Sequence, residues 1–555
     1  MSVLGNLEEA IREAVIQAAQ EARDQGEISF ETLPEFVLEV PREKAHGDYA
    51  VNLAMQLARE AKMPPRKIAE ILVARLEGKA SGVQEVSVAG PGFINMKLDP
   101  SWLDRVIPEV LAQDEAYGRS GFGAGHRVQV EFVSANPTGL PHMGNARGAA
   151  LGDAIASLLD AAGYQVSREY YINDAGNQIE KFGQSLEARY LQELGQDVEF
   201  PEDGYHGQDV TDTVRGYIEK EGDGLLGEEP EKRRLILAEY ALEEKLSHIR
   251  EALTRFGVRY DNWFRESTLY ETGAVEHTLE VLRSRGYVYE SEGATWLAAT
   301  KFGEEKDEVM IRQNGTYTYF AADIAYHLNK IERGFETLIN VWGADHHGHV
   351  ARMKGALGAL GQDPDRLEVV IMQLVRLFSG GEMLRMSKRT GRFVTLDELM
   401  DEVGVDAARY FFVMRSADSH LDFDMDLARS KTSDNPVFYV QYAHARVCSI
   451  LRQSGVPDYG DGDVSLLTEP AERELTDRIA RLPGTIVLAA QAREPHRMCA
   501  YAHELAGLFH SFYASCRVLG VEPELMKARL KLVDATRITL RNVLTLIGVS
   551  APEKM

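Results

Sequence analysis

The sequence predicts an α/β protein in three parts: a parallel-sheet domain in the middle, a small α+β domain ahead of it and an all-α helical bundle behind it. Three observations predict this. Between about residues 126 and 415, apolar β-branched runs alternate with helical stretches, the pattern of a parallel sheet with crossover helices. Ahead of residue 105, helical periodicity gives way to two short strand-like runs around the turn Gly90-Pro91-Gly92. Beyond about residue 430 the 3.6-residue period is almost unbroken. A chain of 555 residues also exceeds what one hydrophobic core serves.

The elements follow in chain order. Residues 1–105 open with an amphipathic helix, then an extended segment at 36–40, a helix at 49–61 and another after Pro64-Pro65, where proline suits a first helical turn. Strands at 84–88 and 93–98 close this part. The central domain, 106–425, begins with a strand at 127–133 and a helix at 146–162 that ends at Gly163, a good C-cap. A strand follows at 165–172, then an insertion near 175–265, whose Gly- and acid-rich stretch 200–230 reads as mobile. Strands at 337–342 and 367–377 complete the sheet. In the bundle, 426–555, helices are expected at 500–518, 524–532 and 535–546, with a loop at 458–463.

Composition excludes several classes. The net charge of −25 argues against a protein that coats nucleic acid through bulk positive charge. Local patches remain open: from Glu469 onward, twelve Lys/Arg stand against ten Asp/Glu. No apolar run approaches the ~18–20 residues that span a bilayer, and the N-terminal segment mixes acids and bases without a secretion-signal pattern. Three cysteines without a C-x-x-C pair predict reduced thiols and a cytoplasmic protein.

Two segments carry chemistry. The first, Glu131-Phe-Val-Ser134-Ala-Asn136-Pro-Thr-Gly-Leu-Pro-His142-Met-Gly144-Asn145, runs from a strand end through a Pro/Gly turn into a helix N-terminus. Ligands bind at that position in a doubly wound sheet, and unpaired helix N–H groups favour phosphate. His142 can donate to a phosphate oxygen, and Gly144, lacking a Cβ, leaves room for a flat base. The second segment is Arg385-Met386-Ser387-Lys388-Arg389. Glycines on both sides predict a loop, and four cations in eight residues can neutralise charge on a departing polyphosphate. Each segment alone also fits an ordinary connection or a basic surface turn.

Together, in this order and roughly 240 residues apart, they resemble the paired signatures of class I aminoacyl-tRNA synthetases: the His-x-Gly-His element and the Lys-Met-Ser-Lys-Ser loop. The stretches SANPTGLPHMGNARGAALGD, YYINDAGNQIEKFG, YFAADIAYH, VWGADHHGHVARMKGAL and VGVDAARYFFVMRSADSHLDFDMDLA are similar to the bacterial arginyl branch. HGDYAVNLAMQLA and AGPGFINMKL resemble that family's additional N-terminal domain, which contacts tRNA, and the C-terminal helices resemble its anticodon-binding domain. The resemblance covers essentially the whole chain and implies a Rossmann-like catalytic domain.

It also implies an ATP- and Mg²⁺-dependent enzyme that joins arginine to tRNA(Arg), with no membrane partner and no protein metal site, expected to be a monomer. Glu131 and Asn136 are implied to hold the arginine ammonium and carboxylate, and Tyr319 and Asp323 the guanidinium; Ser134 and His142 are also implied on arginine. The four-residue spacing of Tyr319 and Asp323 puts both on one helix face. His142, Gly144, Asn145, Gly343, Asp345, His346 and Gln373, with Met386, Ser387 and Lys388, are implied on the nucleotide side. His142, Lys388 and Arg385 are the expected catalytic groups. Two residues depart from the signatures: Asn145 stands for the second histidine, and Arg385 for the first lysine, so Lys388 is expected to be the main cation. Asp345, His346, His347 and His349 are metal-ligand types but lack a clear fourth ligand. In the bundle, Tyr439, Gln441 and Arg446 are expected on tRNA, because single-stranded loops are read by stacking and base-edge contacts. The resemblance implies that tRNA binds before arginine is activated. Two alternatives remain open at this point: a synthetase of the same class for another amino acid, and a non-catalytic RNA-binding relative.

Overall fold

The structure is a computed structural model that describes residues 2–41, 43–137, 139–384 and 394–555. The helix Val3–Asp24 starts at Ser2, whose side chain caps the Gly5 amide, and buries Leu4, Leu7, Ile11 and Val15 along one face. That face packs on the helix Pro65–Leu76, which in turn lies on a four-stranded antiparallel sheet. Residues 49–61, expected as one helix, divide: Tyr49–Val51 is a fully buried strand pairing with Phe93–Leu98, and the helix Leu53–Ala61 starts only after Asn52. Three consecutive buried side chains at Tyr49, Ala50 and Val51 suit a covered strand better than one face of a helix.

The central domain is built on five parallel strands. Their spatial order is Leu367–Met372, Thr337–Gly343, Arg127–Glu131, Gln165–Ile172, Asn262–Arg265. Numbered by position in the chain this is 5-4-1-2-3, the Rossmann-like arrangement, and its switch point lies between Arg127–Glu131 and Thr337–Gly343. The run 367–377, expected as one strand, breaks at Gln373. Val375–Ser379 joins a separate small sheet with Leu421–Asp424, and the Gln373 amide donates to Ala417 O at 2.9 Å.

The helix Met143–Ala161 crosses behind the sheet and is buried along most of its length. It can approach so closely because Gly152 has no Cβ: one built there would lie 2.1 Å from Phe132 Cγ. Its buried Arg147 donates to Gln373 O at 2.7 Å and Ser416 O at 3.0 Å, tying the two sheets together.

The insertion is more ordered than its composition predicts. Within 200–230, Gln208–Glu221 is a helix whose Val210, Val214 and Tyr217 pack against Phe182, Leu186, Tyr190 and Leu237, so the segment has a small core of its own. The apolar residues recur at helical spacing, and this outweighs the surrounding glycines and acids. The C-terminal bundle comprises Pro436–Ser454, Pro470–Ala480, Leu482–Ala492, His496–Ser515 and Pro523–Leu546. The last is one helix where two were expected. Buried Arg409 joins the bundle to the catalytic domain, donating to Asp153 Oδ2 at 2.6 Å, Phe256 O at 3.0 Å and Ile547 O at 3.1 Å. Among the described residues no helix is long and apolar enough to cross a membrane.

Candidate functional site

The site opens at the switch point, where the carboxyl ends of Arg127–Glu131 and Thr337–Gly343 diverge. Just past the first strand, Ser134 N donates to Phe132 O at 3.0 Å and closes a γ-turn on Val133. Val133 has φ +69° and Ser134 φ +39°, costly conformations for residues with a Cβ, and for a β-branched one above all. The turn folds Ser134 back, so that its hydroxyl donates to Glu131 Oε1 at 2.9 Å and accepts from the Tyr171 amide at 3.1 Å. Glu131 Oε2 takes a hydrogen bond from the fully buried Lys330 at 2.6 Å. Glu131 is therefore a charge-paired group whose spare lone pairs, rather than a net charge, are left for a ligand.

Tyr319 and Asp323 stand one turn apart at the start of the helix Tyr319–Glu332. His349 Nε2 lies 2.5 Å from Asp323 Oδ2, and His327 Nδ1 lies 3.4 Å from Oδ1. Burial alone would raise this carboxyl; the bonds to His327 and His349 outweigh it and hold the group well below the usual carboxylate range.

On the other side, His142 caps the helix Met143–Ala161. Its Nδ1 accepts from the Gly144 amide at 3.0 Å, while Asn145 Oδ1 accepts from the His142 amide at 3.0 Å. A neutral His142 ring with Nδ1 accepting carries its proton on Nε2. The reciprocal pair satisfies amides that a helix start leaves open. The chain also returns here after the second signature: Met143 N donates to Val394 O at 3.3 Å, and Leu396 N to Pro141 O at 2.9 Å.

Two adjoining hollows result. The smaller, about 140 Å³, has Glu131 and Asp323 in its walls. The larger, about 810 Å³, is bordered by His142, Asn145, Glu266 and Arg312. They share Ser134, Asn136, Asn173, Tyr319 and His346 as a common wall. A third, of about 700 Å³, lies beyond Tyr319 and is bordered by Lys306, Arg312 and Arg352.

Three family models match the chain. One described as "tRNA synthetases class I (R), catalytic domain" matches residues 106–418, one described as "Arginyl tRNA synthetase N terminal domain" matches 5–98, and one described as "DALR anticodon binding domain" matches 440–555. An arginine–tRNA ligase of Moorella thermoacetica is 62% identical over 560 residues, covering 100% of both chains. The chain belongs to the arginyl-tRNA synthetase family. A second arginine–tRNA ligase of this family, from Desulforamulus reducens, is 59% identical over 99% of each chain. The arginyl-tRNA synthetase of Thermus thermophilus superposes with a TM-score of 0.76 at 25% identity, covering 99% of this chain and 100% of its own.

For this member of the arginyl-tRNA synthetase family, the expected site residues divide into those that converge and those that do not. Glu131, Ser134, Asn136, Tyr319, Asp323, Gly343 and His346 border the smaller hollow, and His142 and Asn145 the larger. Asp345 borders the third hollow and is highly exposed. His349 turns inward to Asp323, so the run 345–349 does not gather on one point; among the described residues no three His, Cys, Asp or Glu converge as for a metal.

Two expected residues stand outside these hollows. The space above Gly144 is occupied by the His142 ring, whose Cε1 would lie 2.9 Å from an added Cβ, and Gly144 borders none of the three hollows. Gln373 borders none of them either; its carbonyl is held by Arg147 instead. Arg385, Met386, Ser387 and Lys388 lie outside the described residues.

In the bundle, Tyr439 and Arg446 are partly exposed. Tyr439 lies 4.7 Å from the His503 ring, and the Arg446 guanidinium sits 4.5 Å over Tyr513. Gln441 is a correction: it is buried, donating to Asp406 Oδ2 at 2.8 Å and Ser550 O at 2.9 Å, so it clamps the C-terminal tail.

Glu266 carries no signal in the sequence, yet it borders the larger hollow with its side chain buried and its Oε2 without a hydrogen-bond partner. Burial pushes its carboxyl up to about 7, against the hydroxyls of Tyr171 and Tyr270. A strand-end acid in a chain with 86 acidic residues does not stand out by type or spacing.

Proposed function

We propose that the chain ligates arginine to tRNA(Arg) in two steps, with arginine in the smaller hollow and ATP in the larger. The observation that carries this is the common wall: Asp323, an acid held ionised, lies one hollow away from a histidine-capped helix N-terminus. A guanidinium needs a carboxylate that stays charged. A triphosphate needs donors and the positive end of a helix dipole.

Asp323 and Tyr319 hold the guanidinium. Glu131, Ser134 and Asn136 hold the ammonium and carboxylate. A carboxylate oxygen of arginine then attacks the α-phosphorus of ATP, forming the mixed anhydride as the α–β phosphoanhydride bond breaks and pyrophosphate leaves. His142 Nε2–H and the positive end of the helix dipole meet the charge that develops, and Lys388 is the cation assigned to neutralise it. Mg²⁺ supplies charge neutralisation on the phosphates. In the second step the 2′-hydroxyl of the terminal adenosine attacks the activated carbonyl, loses its proton and displaces AMP.

Tyr439 and Arg446 present a ring and a cation to unpaired bases of the tRNA. We take the chain to act as a monomer. ATP and tRNA as substrates, with Cys448, Cys499 and Cys516 all free thiols, fit a cytoplasmic enzyme.

The test is ATP–pyrophosphate exchange with each amino acid, with and without tRNA. Exchange that requires both arginine and tRNA is expected. Exchange with another amino acid, or none under any condition, overturns the reading.

A further inference from the structure

Behind the two carboxylates of the smaller hollow runs a chain of buried polar groups that the two-step scheme does not use. Lys330 Nζ donates to Glu131 Oε2 at 2.6 Å and to Asn340 Oδ1 at 3.0 Å. Asn340 Nδ2 lies 2.9 Å from His327 Nε2. His327 Nδ1 lies 2.8 Å from the backbone oxygen of Asp323 and 3.4 Å from its Oδ1. Lys330, Asn340 and His327 are each at most 1% exposed.

Chemistry fixes every donor in this chain. An ammonium only donates, so the oxygen of Asn340 faces Lys330 and its NH₂ faces His327. A carbonyl only accepts, so His327 Nδ1 carries the proton and Nε2 accepts. The ring is neutral and in a single tautomer, and Lys330 is the source of the chain: it donates on one side to Glu131 and on the other, through Asn340 and His327, towards Asp323. The Lys330 ammonium also rests 4.3 Å over the Tyr326 ring, and the Tyr326 hydroxyl donates to Glu169 at 2.7 Å. Groups this buried are costly to leave unpaired, so the chain holds one geometry. One of its ends is Glu131 and the other is Asp323. The residues come from the helix Tyr319–Glu332 and the strand Thr337–Gly343, which both border the hollow.

We propose that Lys330, Asn340 and His327 are positioning residues: a hydrogen-bond relay, donated outward from Lys330 to both ends, that fixes Glu131 and Asp323 relative to each other and so sets the length of cationic amino acid the pocket accepts. The proposal rests on the reading in which Glu131 serves the ammonium end of arginine and Asp323 the guanidinium. Lys330 stands behind the hollow, whereas Asn340 and His327 form part of its wall; their polar atoms are committed to one another, to Lys330 and to Asp323, so they act through the two carboxylates. Lys330 neutralises Glu131 while leaving it lone pairs, and His327 orients the Asp323 backbone and carboxylate from behind.

The test compares the full chain with His327→Phe, which keeps a ring but no polar atom, and His327→Gln, which keeps one donor and one acceptor. Steady-state aminoacylation is measured with arginine, ATP and homoarginine, one methylene longer, as the varied substrates. His327→Phe should raise the arginine KM roughly tenfold, about the worth of one buried hydrogen bond to a charged group, and leave the ATP KM within about twofold. It should also narrow the preference for arginine over homoarginine, and His327→Gln should restore most of the loss. Should His327→Phe not fold, Asn340→Leu breaks the same relay one bond earlier and is held to the same results. An unchanged arginine KM, equal rises in both KM values, or an unaltered preference overturns the proposal. Asp323→Asn separates the two levels. If it spares the arginine KM, the pocket reading itself fails; if it raises the arginine KM while the relay variants do not, only the relay fails.

Discussion

The Met143 amide donates to Val394 O at 3.3 Å, so the chain leaving the second signature is pinned against the first turn of the helix that His142 caps. Lys388 stands six positions before Val394 in the chain. Lys388→Ala should therefore lower kcat by about 10²–10³ while the ATP KM changes far less, as expected for a cation that meets charge mainly in the transition state. Steady-state and single-turnover kinetics check this. A loss confined to ATP affinity would reject the transition-state role.

Asp323→Ala removes the one described carboxylate in the smaller hollow that has no lysine or arginine on it. The arginine KM should rise roughly a hundredfold, about 3 kcal/mol, with little change for ATP. Arginine titrations at saturating ATP and tRNA measure it, and an unchanged arginine KM would reject the guanidinium assignment.

Glu266 gives a pH dependence whose sign is fixed. Its folded carboxyl titrates at about 7, above the unfolded value, because burial favours the protonated form. Its contribution to stability is complete below the unfolded value near 4.5 and is lost as pH rises through about 7, costing roughly 3 kcal/mol at higher pH. Glu266→Gln keeps the shape without the charge, so its advantage over the parent should grow between pH 5 and pH 8 in denaturant titrations. A constant difference across that range would show that Glu266 ionises normally.

Gly152→Ala places a methyl group against the Phe132 ring, which stacks on Tyr260 at 4.6 Å and cannot easily withdraw. A loss of about 2 kcal/mol is expected in chemical denaturation, with a raised arginine KM, because Phe132 follows Glu131 directly. Parent-like stability would mean that the helix Met143–Ala161 can back away from the sheet.

Tyr439→Ala should raise the tRNA KM roughly tenfold and leave the arginine KM unaltered, the scale of one lost base stack. Gln441→Ala should lower thermal stability instead, since its amide holds Asp406 and Ser550. Filter binding of tRNA and thermal melts distinguish the two; the reverse pattern would exchange their roles.

How much of this was legible in the sequence depended on whether the signal was local. Strand 165–172 and the helix behind it could be read because periodicity and the Gly163 stop are properties of neighbouring residues. The break of 367–377 at Gln373 could not, because a buried arginine 226 residues away in the chain holds it. The same contrast runs through the site. Tyr319 and Asp323 were legible through the family resemblance, with their four-residue spacing consistent with it, whereas nothing beside Lys330 in the chain points to Glu131 and Asn340, which it meets only in the fold. Gln441 looked available because nothing in its own helix shows that Ser550 folds back onto it.

The most direct test is a crystal structure of the chain with a non-hydrolysable arginyl-adenylate analogue. The guanidinium should lie about 3 Å from the Asp323 carboxylate, with the α-phosphate mimic beside His142 Nε2. A guanidinium bound elsewhere, with Asp323 still closed against His349 alone, would contradict the account.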